Sequence, residues 1–361
     1  MERLRLVVLA GTLPVRAQLR DVFRGDPQFE LVGEGPTDAR GVRLVRGMRP
    51  SVVALGVAPP DPQAIETAAA IMAETPTPIL AVVAPAQQAP SVGPELLAHG
   101  VLEVVGWPSG AGTAAQRTDL LARAKLLARV SVIRHPRGRI TRPDEGVYGA
   151  QRTAGRRPAM AAPPSPLEIV GIVASTGGPP VLRQLLAELP ADFPAAVLVV
   201  QHIAAGFMSG LVHWLANSCA LPVAVAQPDQ VIRPGQVLFA ADSRHLVVTD
   251  QRRVRLDDSP PRNHLRPSGD LLLHSIAAVY GARAAAVILT GMGADGVDGA
   301  RAVRQAGGRV LVQDEQTSVV FGMPQAAIHA QVADEVLSPQ ALGARLRTLA
   351  QGGRGEQVPD A

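Results

Sequence analysis

The sequence has 361 residues, of which 47% are hydrophobic and 18% are charged, and its formal net charge is +4. This length exceeds that of a typical domain with one hydrophobic core, so two domains are expected. No stretch approaches the roughly 20 uninterrupted apolar residues of a membrane helix, and the first residues lack the apolar region of a secretory signal. The single cysteine, Cys219, excludes an internal disulfide and a thiolate zinc cluster. These features predict a cytoplasmic protein.

Short aliphatic segments alternate with helix-periodic segments over the first 130 or so residues. The predicted strands are Leu4–Leu9, Phe29–Val32, Ser51–Leu55, Ile79–Val83 and Leu102–Val105. The predicted helices include Pro14–Phe23, Asp38–Met48, Ala64–Ala73 and Ala114–Ala128. Strands and helices that alternate in this way predict an α/β domain, residues 1–130, with a doubly wound parallel sheet of five strands. Any site would lie at the carboxyl ends of the strands.

This half resembles the receiver domain of response regulators, in strand spacing and in the segments RPSVVALGV and PTPILAVV. A receiver holds magnesium with an acidic pair and accepts phosphate on an aspartate. The positions for its acidic pair, phosphate acceptor, hydroxyl and lysine hold other residues here: Ala10 and Gly11, Gly56, Val83 or Ala84, and Trp107. Magnesium requires oxygen ligands and phosphoryl transfer requires a carboxylate acceptor. We therefore predict a receiver-like domain that is not phosphorylated in the usual way.

Asp61 is the one nearby acid that could replace the missing phosphate acceptor. It follows Gly56 by five positions, in a segment predicted to be a loop. The alternative interpretation is an ordinary solvated aspartate. Phosphorylation of this domain by a small phosphodonor with magnesium would contradict the prediction that it is not phosphorylated in the usual way.

Residues 131–166 are predicted to form a flexible linker between two domains. The segment is rich in proline and almost free of apolar periodicity, so it buries too little surface to offset its ordering entropy. It contains seven arginines and two acidic residues, and the rest of the chain is close to neutral. A basic arm that binds nucleic acid or anionic lipid is the alternative, but aromatic residues do not alternate with the arginines. We expect no nucleic-acid partner and no direct membrane insertion.

A second α/β domain is predicted over residues 167–351, followed by a disordered tail, residues 352–361. Its first strand, Glu168–Ala174, ends at Ser175 in the segment GIVASTGGPP. Gly177 and Gly178 permit a sharp turn, and Pro179 suits the first position of a helix. The serine hydroxyl would lie beside a helix N-terminus, whose free N–H groups favour negative charge.

Three interpretations fit this serine turn. It could cradle a phosphate, it could present a nucleophile whose oxyanion the N–H groups stabilise, or it could be a plain structural turn. Pro179 stands where a P-loop needs lysine, and Val173 stands where the motif G-x-S-x-G needs its first glycine. Neither motif is present, so the turn alone does not decide among the three.

A nucleophilic serine needs a base, and His202 occupies the equivalent position after the next strand, Ala195–Val200. The carboxyl ends of neighbouring parallel strands meet at one edge of a sheet, so Ser175 and His202 are predicted to lie there together. His245, at the start of a hairpin strand, and His264, before RPSGD, could line a substrate groove or lie solvated on the surface. The remaining histidines fit a catalytic role less well: His99, His135, His213, His274 and His329.

The base in turn needs an acid to fix its tautomer. The strand Ala284–Thr290 ends in GMGADG, where Asp295 is the first acid, and Asp298 on the following helix is its rival. An N-cap of that helix is the structural alternative for Asp295. Three strand ends thus offer a serine, a histidine and an aspartate in an order that matches none of three well-known hydrolase orders.

The chain resembles the chemotaxis-type protein-glutamate methylesterases over the receiver-like half, the linker and nearly all of the second half, and five segments of the second half carry the likeness most specifically. The segments are ASTGGP, QHI, RPSGDLLLHS, LTGMGADG and EQTSVVFGMPQAAI. The resemblance implies that Ser175, His202 and Asp295 are catalytic, in a larger, Rossmann-like methylesterase domain. It also implies an oxyanion contact at the backbone N–H of Met292, with Thr176 as a helper. The segment FAADSRHLVV lacks the proline and glycine expected there, which affects the groove shape rather than the chemistry.

The resemblance further implies a reaction. The substrate would be a methylated glutamate on a cytoplasmic helix of a methyl-accepting chemoreceptor, and a receptor glutamine could be deamidated by the same route. No metal or organic cofactor is expected. Because Gly56 replaces the phosphate acceptor, we expect either constitutive activity or control by another signalling protein that docks on the receiver-like domain. A catalytically idle receptor-binding scaffold and a nucleotide-binding domain are the competing interpretations.

Overall fold

The computed structural model describes residues 3–108, 110, 112–130 and 166–352, and its first part is a five-stranded parallel sheet flanked by helices. Its strands are β1 (Leu4–Ala10), β2 (Phe29–Gly35), β3 (Val52–Val57), β4 (Ile79–Val83) and β5 (Glu103–Gly106). Its helices are α1 (Leu13–Arg24), α2 (Ala39–Met48), α3 (Pro62–Glu74), α4 (Ala89–Ala98) and α5 (Ala114–Leu127). The order β2-β1-β3-β4-β5 is that of a doubly wound α/β domain, as predicted.

The second part contains a seven-stranded parallel sheet of order β14-β13-β12-β6-β7-β9-β8, and a separate antiparallel hairpin of β10 and β11. Its strands are β6 (Ile169–Ala174), β7 (Ala196–Gln201), β8 (Val223–Val225), β9 (Val237–Phe239), β10 (His245–Val248), β11 (Val254–Asp257), β12 (Ala284–Ile288), β13 (Arg309–Gln313) and β14 (Glu335–Leu337). Its helices are α6 (Gly178–Ala187), α7 (Met208–Ala216), α8 (Gly269–Tyr280), α9 (Val297–Gln305), α10 (Met323–His329) and α11 (Pro339–Ala350). The predicted fold class is confirmed.

The order of the larger sheet explains where its site forms. Strand β6 is fully buried and pairs with β7 on one side and β12 on the other. The chain first adds strands on the β7 side and later returns to add β12, so the strand order reverses at β6. In open α/β sheets a ligand crevice forms at the carboxyl ends of the strands beside such a reversal.

The receiver-like sheet contains apolar side chains where a receiver has its phosphorylation site. A Cβ atom on Gly56 would lie 2.6 Å from Val15 and 2.9 Å from Leu19, both on α1. Trp107, after β5, is buried in the same core. Asp61 is not a solvated loop residue: its carboxylate accepts a hydrogen bond of 3.0 Å from the Ala64 N–H and caps α3.

Helices α4 and α7 hold the two sheets together. Phe207, immediately before α7, is buried in the core of the receiver-like domain, where its ring contacts Gly93 of α4. A Cβ atom on Gly210 would lie 2.7 Å from the Pro90 carbonyl oxygen and from Pro94. The two helix backbones therefore approach so closely that little more than hydrogen fits between them.

Two predicted segments, the linker 131–166 and the tail 352–361, lie outside the described residues except for Pro166 and Gly352. Within the described ranges, none of the helices has both the length and the apolar character needed to cross a bilayer.

Candidate active site

Ser175 directly follows β6, in a turn that hydrogen bonds fix from three sides. Its N–H donates to the Thr290 carbonyl at 3.0 Å. Its own carbonyl accepts from the Gly178 N–H at 2.8 Å and from the Gln201 side-chain amide at 2.8 Å. Gly177 has a φ of +77° and caps α6, a conformation that a residue with a side chain adopts only under strain. The turn therefore places the hydroxyl at the carboxyl edge of the sheet.

His202 follows β7, and its backbone N–H donates to the Ala174 carbonyl at 2.9 Å, beside the serine turn. Its Nε2 lies 2.9 Å from Asp295 Oδ2. A carboxylate only accepts hydrogen bonds, so Nε2 carries the proton and Nδ1 of the neutral ring holds a free lone pair. Among the described residues the Ser175 hydroxyl makes no direct hydrogen bond to this ring, but both side chains line one cavity.

The carboxylate of Asp295 is almost completely buried and accepts four hydrogen bonds. The donors are His202 at 2.9 Å, the Ser268 hydroxyl at 2.9 Å, and the N–H groups of Gly269 at 2.6 Å and Asp270 at 3.1 Å. It does not cap the helix that follows it, because Gly296 is the capping residue of α9. The N-cap alternative is wrong: this carboxylate faces the start of α8 instead.

Hydrogen bonding keeps this acid ionised despite its burial. Burial is the largest single influence and favours the neutral form, but the hydrogen bond and charge of His202 and the two backbone N–H groups outweigh it, so the pKa of Asp295 is lowered. The neighbouring Asp270 behaves oppositely: burial above all, and also the charge of Asp295, raises the pKa of Asp270 against the hydrogen bond from Gly299. The two carboxyl groups thus differ in acidity, and Asp295 carries the charge beside the imidazole.

The cavity at this sheet edge has a volume of about 440 Å³ and lies between the two domains. The second domain contributes one wall, which includes Ser175, Thr176, His202, His264, Arg266 and Met292. The receiver-like domain contributes the opposite wall, which includes Leu102, Glu103, Asp119 and Arg123. A site at the strand ends was predicted, but this second wall was not.

Glu103 and Arg123 form the polar part of that wall. Their side chains make an ion pair, and Arg123 also hydrogen-bonds Asp119 at 2.7 Å. Burial raises the pKa of Glu103, and the guanidinium of Arg123 opposes that shift. The one sequence signal was an acidic residue at the start of an otherwise apolar strand, which does not reveal which surface it faces.

The two residues proposed for an oxyanion contact both border the cavity. Met292 is 62% exposed, and in the described part of the chain its N–H has no hydrogen-bond acceptor. The adjacent Gly291 is held on both sides, donating to Val320 and accepting from Met323. Thr176 is held through its carbonyl, which accepts from the Thr290 hydroxyl at 3.0 Å. A free N–H on a fixed loop is suited to bind a developing negative charge.

The other candidates take structural positions. His245 is fully buried rather than solvated: its Nδ1 accepts from the Ser268 N–H at 3.1 Å. His264 is exposed and also lines the cavity, so the structure is consistent with both of its interpretations. Asp298 is a surface residue paired with Arg262 and Arg301. Among the residues that the structure describes, no cluster of three histidine, cysteine or acidic side chains is arranged to hold a metal.

Comparisons with known proteins agree on one family. Residues 170–346 match the family model described as CheB methylesterase. The chain is 39% identical to protein-glutamate methylesterase/protein-glutamine glutaminase 3 of Anaeromyxobacter dehalogenans, over 95% of this chain and 98% of that protein. It is 38% identical to the enzyme numbered 4 of Myxococcus xanthus, over 98% of each. The crystal structure of the Thermotoga maritima CheB methylesterase catalytic domain matches with 38% identity and a TM-score of 0.50, covering 51% of this chain and all of that one.

Proposed function

The chain belongs to the CheB methylesterase family, and on that basis we propose that it is a serine hydrolase that removes methyl esters from glutamate side chains of chemoreceptors. The observation that supports this most directly is the hydrogen bond of 2.9 Å between His202 and Asp295, on the rim of a cavity that Ser175 also lines. A buried, ionised carboxylate beside an imidazole that shares a cavity with a hydroxyl suits acyl transfer.

In the proposed mechanism, Nδ1 of His202 takes the proton of Ser175 as its oxygen attacks the γ-carbonyl of the ester. Asp295, hydrogen-bonded to Nε2, stabilises the imidazolium that forms. The tetrahedral oxyanion is held by the Met292 N–H, with Thr176 beside it. The imidazolium then gives its proton to the leaving methanol. Water, deprotonated by the same histidine, hydrolyses the acyl-enzyme and restores the serine and a free glutamate.

The proposed partners follow from the same chemistry. CheB-family methylesterases act on chemoreceptors in chemotaxis, and we propose that the substrate segment here is a cytoplasmic receptor helix, which would place this enzyme in the cytoplasm. A glutamine side chain could react by the same route with ammonia as the leaving group. Both activities are named for the relatives in Anaeromyxobacter and Myxococcus.

We propose that phosphorylation of an aspartate does not control this enzyme. The support is the apolar packing at Gly56, where a carboxylate acceptor would have to stand. Constitutive activity and control by another signalling protein that docks on the receiver-like domain are the two remaining modes. Incubation with a small phosphodonor and magnesium should leave the domain without an acyl-phosphate, and mass spectrometry of the intact chain checks this.

Methanol release from a methylated receptor fragment tests the proposed function, with labelling by a serine-directed fluorophosphonate as a second readout. We expect both in the wild-type chain, and Ser175→Ala should lower methanol release at least about a thousandfold because the nucleophile is lost. Ser218→Ala is the matched control, since among the described residues the Ser218 hydroxyl bonds only the Leu215 carbonyl in the last turn of α7, away from the cavity. A wild-type chain that binds the receptor fragment but is neither labelled nor active would favour the idle scaffold.

A further inference from the structure

Helices α8 and α9 begin side by side, and a carboxylate at or just before the start of each accepts hydrogen bonds from the start of the other. Asp295, just before α9, accepts from the N–H groups of Gly269 and Asp270 at the start of α8. Asp270, in the first turn of α8, accepts in return from the N–H groups of Gly296 at 3.0 Å and Gly299 at 2.9 Å. The first N–H groups of a helix have no partner within it and favour negative charge. This exchange therefore fixes both acids and both helix starts relative to each other.

Ser268 stands at the N-cap of α8 but does not act as a cap. A serine at this position normally accepts a hydrogen bond from an N–H of its own helix. Here the side chain makes no such bond, and its hydroxyl donates to Asp295 Oδ1 at 2.9 Å instead. Ser268 is fully buried, so water does not replace this donor. N–H groups at the start of the helix already donate to Asp295, so the Ser268 hydroxyl is available as a further donor to the same carboxylate.

A buried histidine fixes Ser268 from the other side. Nδ1 of His245 accepts from the Ser268 N–H at 3.1 Å, and Nε2 faces the Pro260 carbonyl at 3.3 Å. Because Nδ1 accepts, the ring is neutral and its proton lies on Nε2, directed at that carbonyl. His245 thus holds the backbone of Ser268 while the hydroxyl of Ser268 holds the carboxylate.

We propose that Ser268 is a positioning residue for the esterase reaction, acting through Asp295 on His202; this inference rests on the proposed function. Without its hydroxyl, Oδ1 keeps only the Asp270 N–H, and the carboxylate loses one of the four hydrogen bonds that fix its orientation. The negative charge of the Asp295 carboxylate is then stabilised by one donor fewer, so the carboxylate attracts the protonated imidazole of His202 more strongly. Turnover should fall, and activity should require a higher pH.

The charged and titratable groups around His202 and Asp295 come from both domains. His264 and Arg266 of the second domain, and Glu103, Asp119 and Arg123 of the receiver-like domain, line the cavity beside His202. His202 and Asp270 face Asp295 directly, and His245 faces Ser268. Arg262 and Asp298 act on Asp270 from the surface. None of these is changed by a substitution at Ser268.

The experiment compares Ser268→Ala with Ser275→Ala in the full chain. Ser275 lies on the same helix, and its hydroxyl bonds Leu272 and Val248 without contacting Asp295. For Ser268→Ala we expect kcat for methanol release to fall about tenfold or more, as for loss of a hydrogen bond to a charged group, with KM changed less than about twofold. We also expect the acidic limb of kcat/KM to move up by about half a pH unit or more. Ser275→Ala should show neither change.

Thermal unfolding and fluorophosphonate labelling accompany the kinetics. Ser268→Cys keeps the shape of the side chain, with a somewhat larger sulfur atom that is only a weak donor, so it gives the same comparison should the alanine variant not fold. An unchanged kcat and pH profile in either folded Ser268 variant would overturn the proposal. The proposal would also be overturned if the Ser268 and Ser275 variants lost activity equally and in proportion to their loss of thermal stability. A wild-type chain that neither releases methanol nor takes the label would overturn the proposed function itself.

Discussion

At the scale of single residues, the behaviour of Asp295 depends on which donors reach it. Four hydrogen bonds converge on its two oxygens, and three come from the segment Ser268–Asp270, more than twenty residues away in sequence. Its burial alone would favour the neutral acid, which would be useless beside an imidazole that must become positive. The donors reverse that preference, so the folded state is stabilised by the ionised form.

This linkage predicts how Asp295→Asn changes stability with pH. Because the pKa of Asp295 is lower in the folded chain than in the unfolded one, its contribution is fully present above the ordinary aspartate value near 4 and is lost as pH falls through the folded value. At pH 7 the free energy of unfolding of the variant should be about 2 kcal/mol lower than that of the wild type. Below pH 4 the difference should narrow, because asparagine has no proton to gain. Denaturant titrations at both pH values measure this.

The matched control is Asp298→Asn, on the surface beside Arg262 and Arg301. Exposed ion pairs contribute little, so this change should cost less than about 0.5 kcal/mol at pH 7. A pH-independent loss in Asp295→Asn would contradict the linkage.

At the scale of elements, α1 packs on β3 at the position where a receiver has its phosphate acceptor. The side chains of Val15 and Leu19 on α1 pack over Gly56, and Ala10 at the end of β1 packs beside them. The strand order and helix positions of the domain are unchanged, because they depend on apolar periodicity and not on the acids at the strand ends. The fold is thus retained without the residues that perform the reaction.

Restoring the acid by Gly56→Asp should therefore destabilise the domain and not recover phosphorylation. Its Cβ atom would lie 2.6 Å from Val15, and its carboxylate would be buried among apolar groups. We expect a loss of at least about 3 kcal/mol in denaturant unfolding, and no acyl-phosphate with a phosphodonor and magnesium. Gly47→Asp is the control, since a Cβ atom on Gly47 of α2 meets open space. A stable, phosphorylated Gly56→Asp chain would contradict this account.

At the scale of the whole molecule, the receiver-like domain closes one side of the candidate active site. The ring of Phe207 sits in its core, and α4 contacts α7 through glycine and proline residues. Glu103 and Arg123 then face Ser175 across a cavity of about 440 Å³. An α-helix is about 10 Å in diameter, so a cavity of this size between two walls restricts the approach of the proposed receptor helix.

Phe207→Ala should weaken the closed arrangement and raise kcat/KM for the receptor substrate, by up to about tenfold if the open form is a minor population. A chain that begins near Leu167 and lacks the first domain should show the same rise. Phe193→Ala removes an equally buried ring from the core of the second domain and should lower stability without raising activity. Unchanged activity in Phe207→Ala would show that the closed arrangement does not limit substrate access.

Local patterns in the sequence determined the elements and the strand ends. An apolar run that stops at a serine followed by glycines and prolines specifies a strand, a turn and a helix start, because backbone preferences act over a few residues. The rule that parallel strands end at one edge then brings Ser175 and His202 to the same rim. For the same reason Ile79–Val83 is predicted and observed with identical bounds.

Only the tertiary structure decided what each side chain touches across the fold. The donors to Asp295 from the start of α8 and the cleft wall of Glu103 and Arg123 join segments distant in sequence. Such contacts depend on how helices pack on the sheets and how the domains meet, and hydrophobic periodicity does not record these. The residue types that can carry the reaction were therefore readable from the chain, while their partners required the packed molecule.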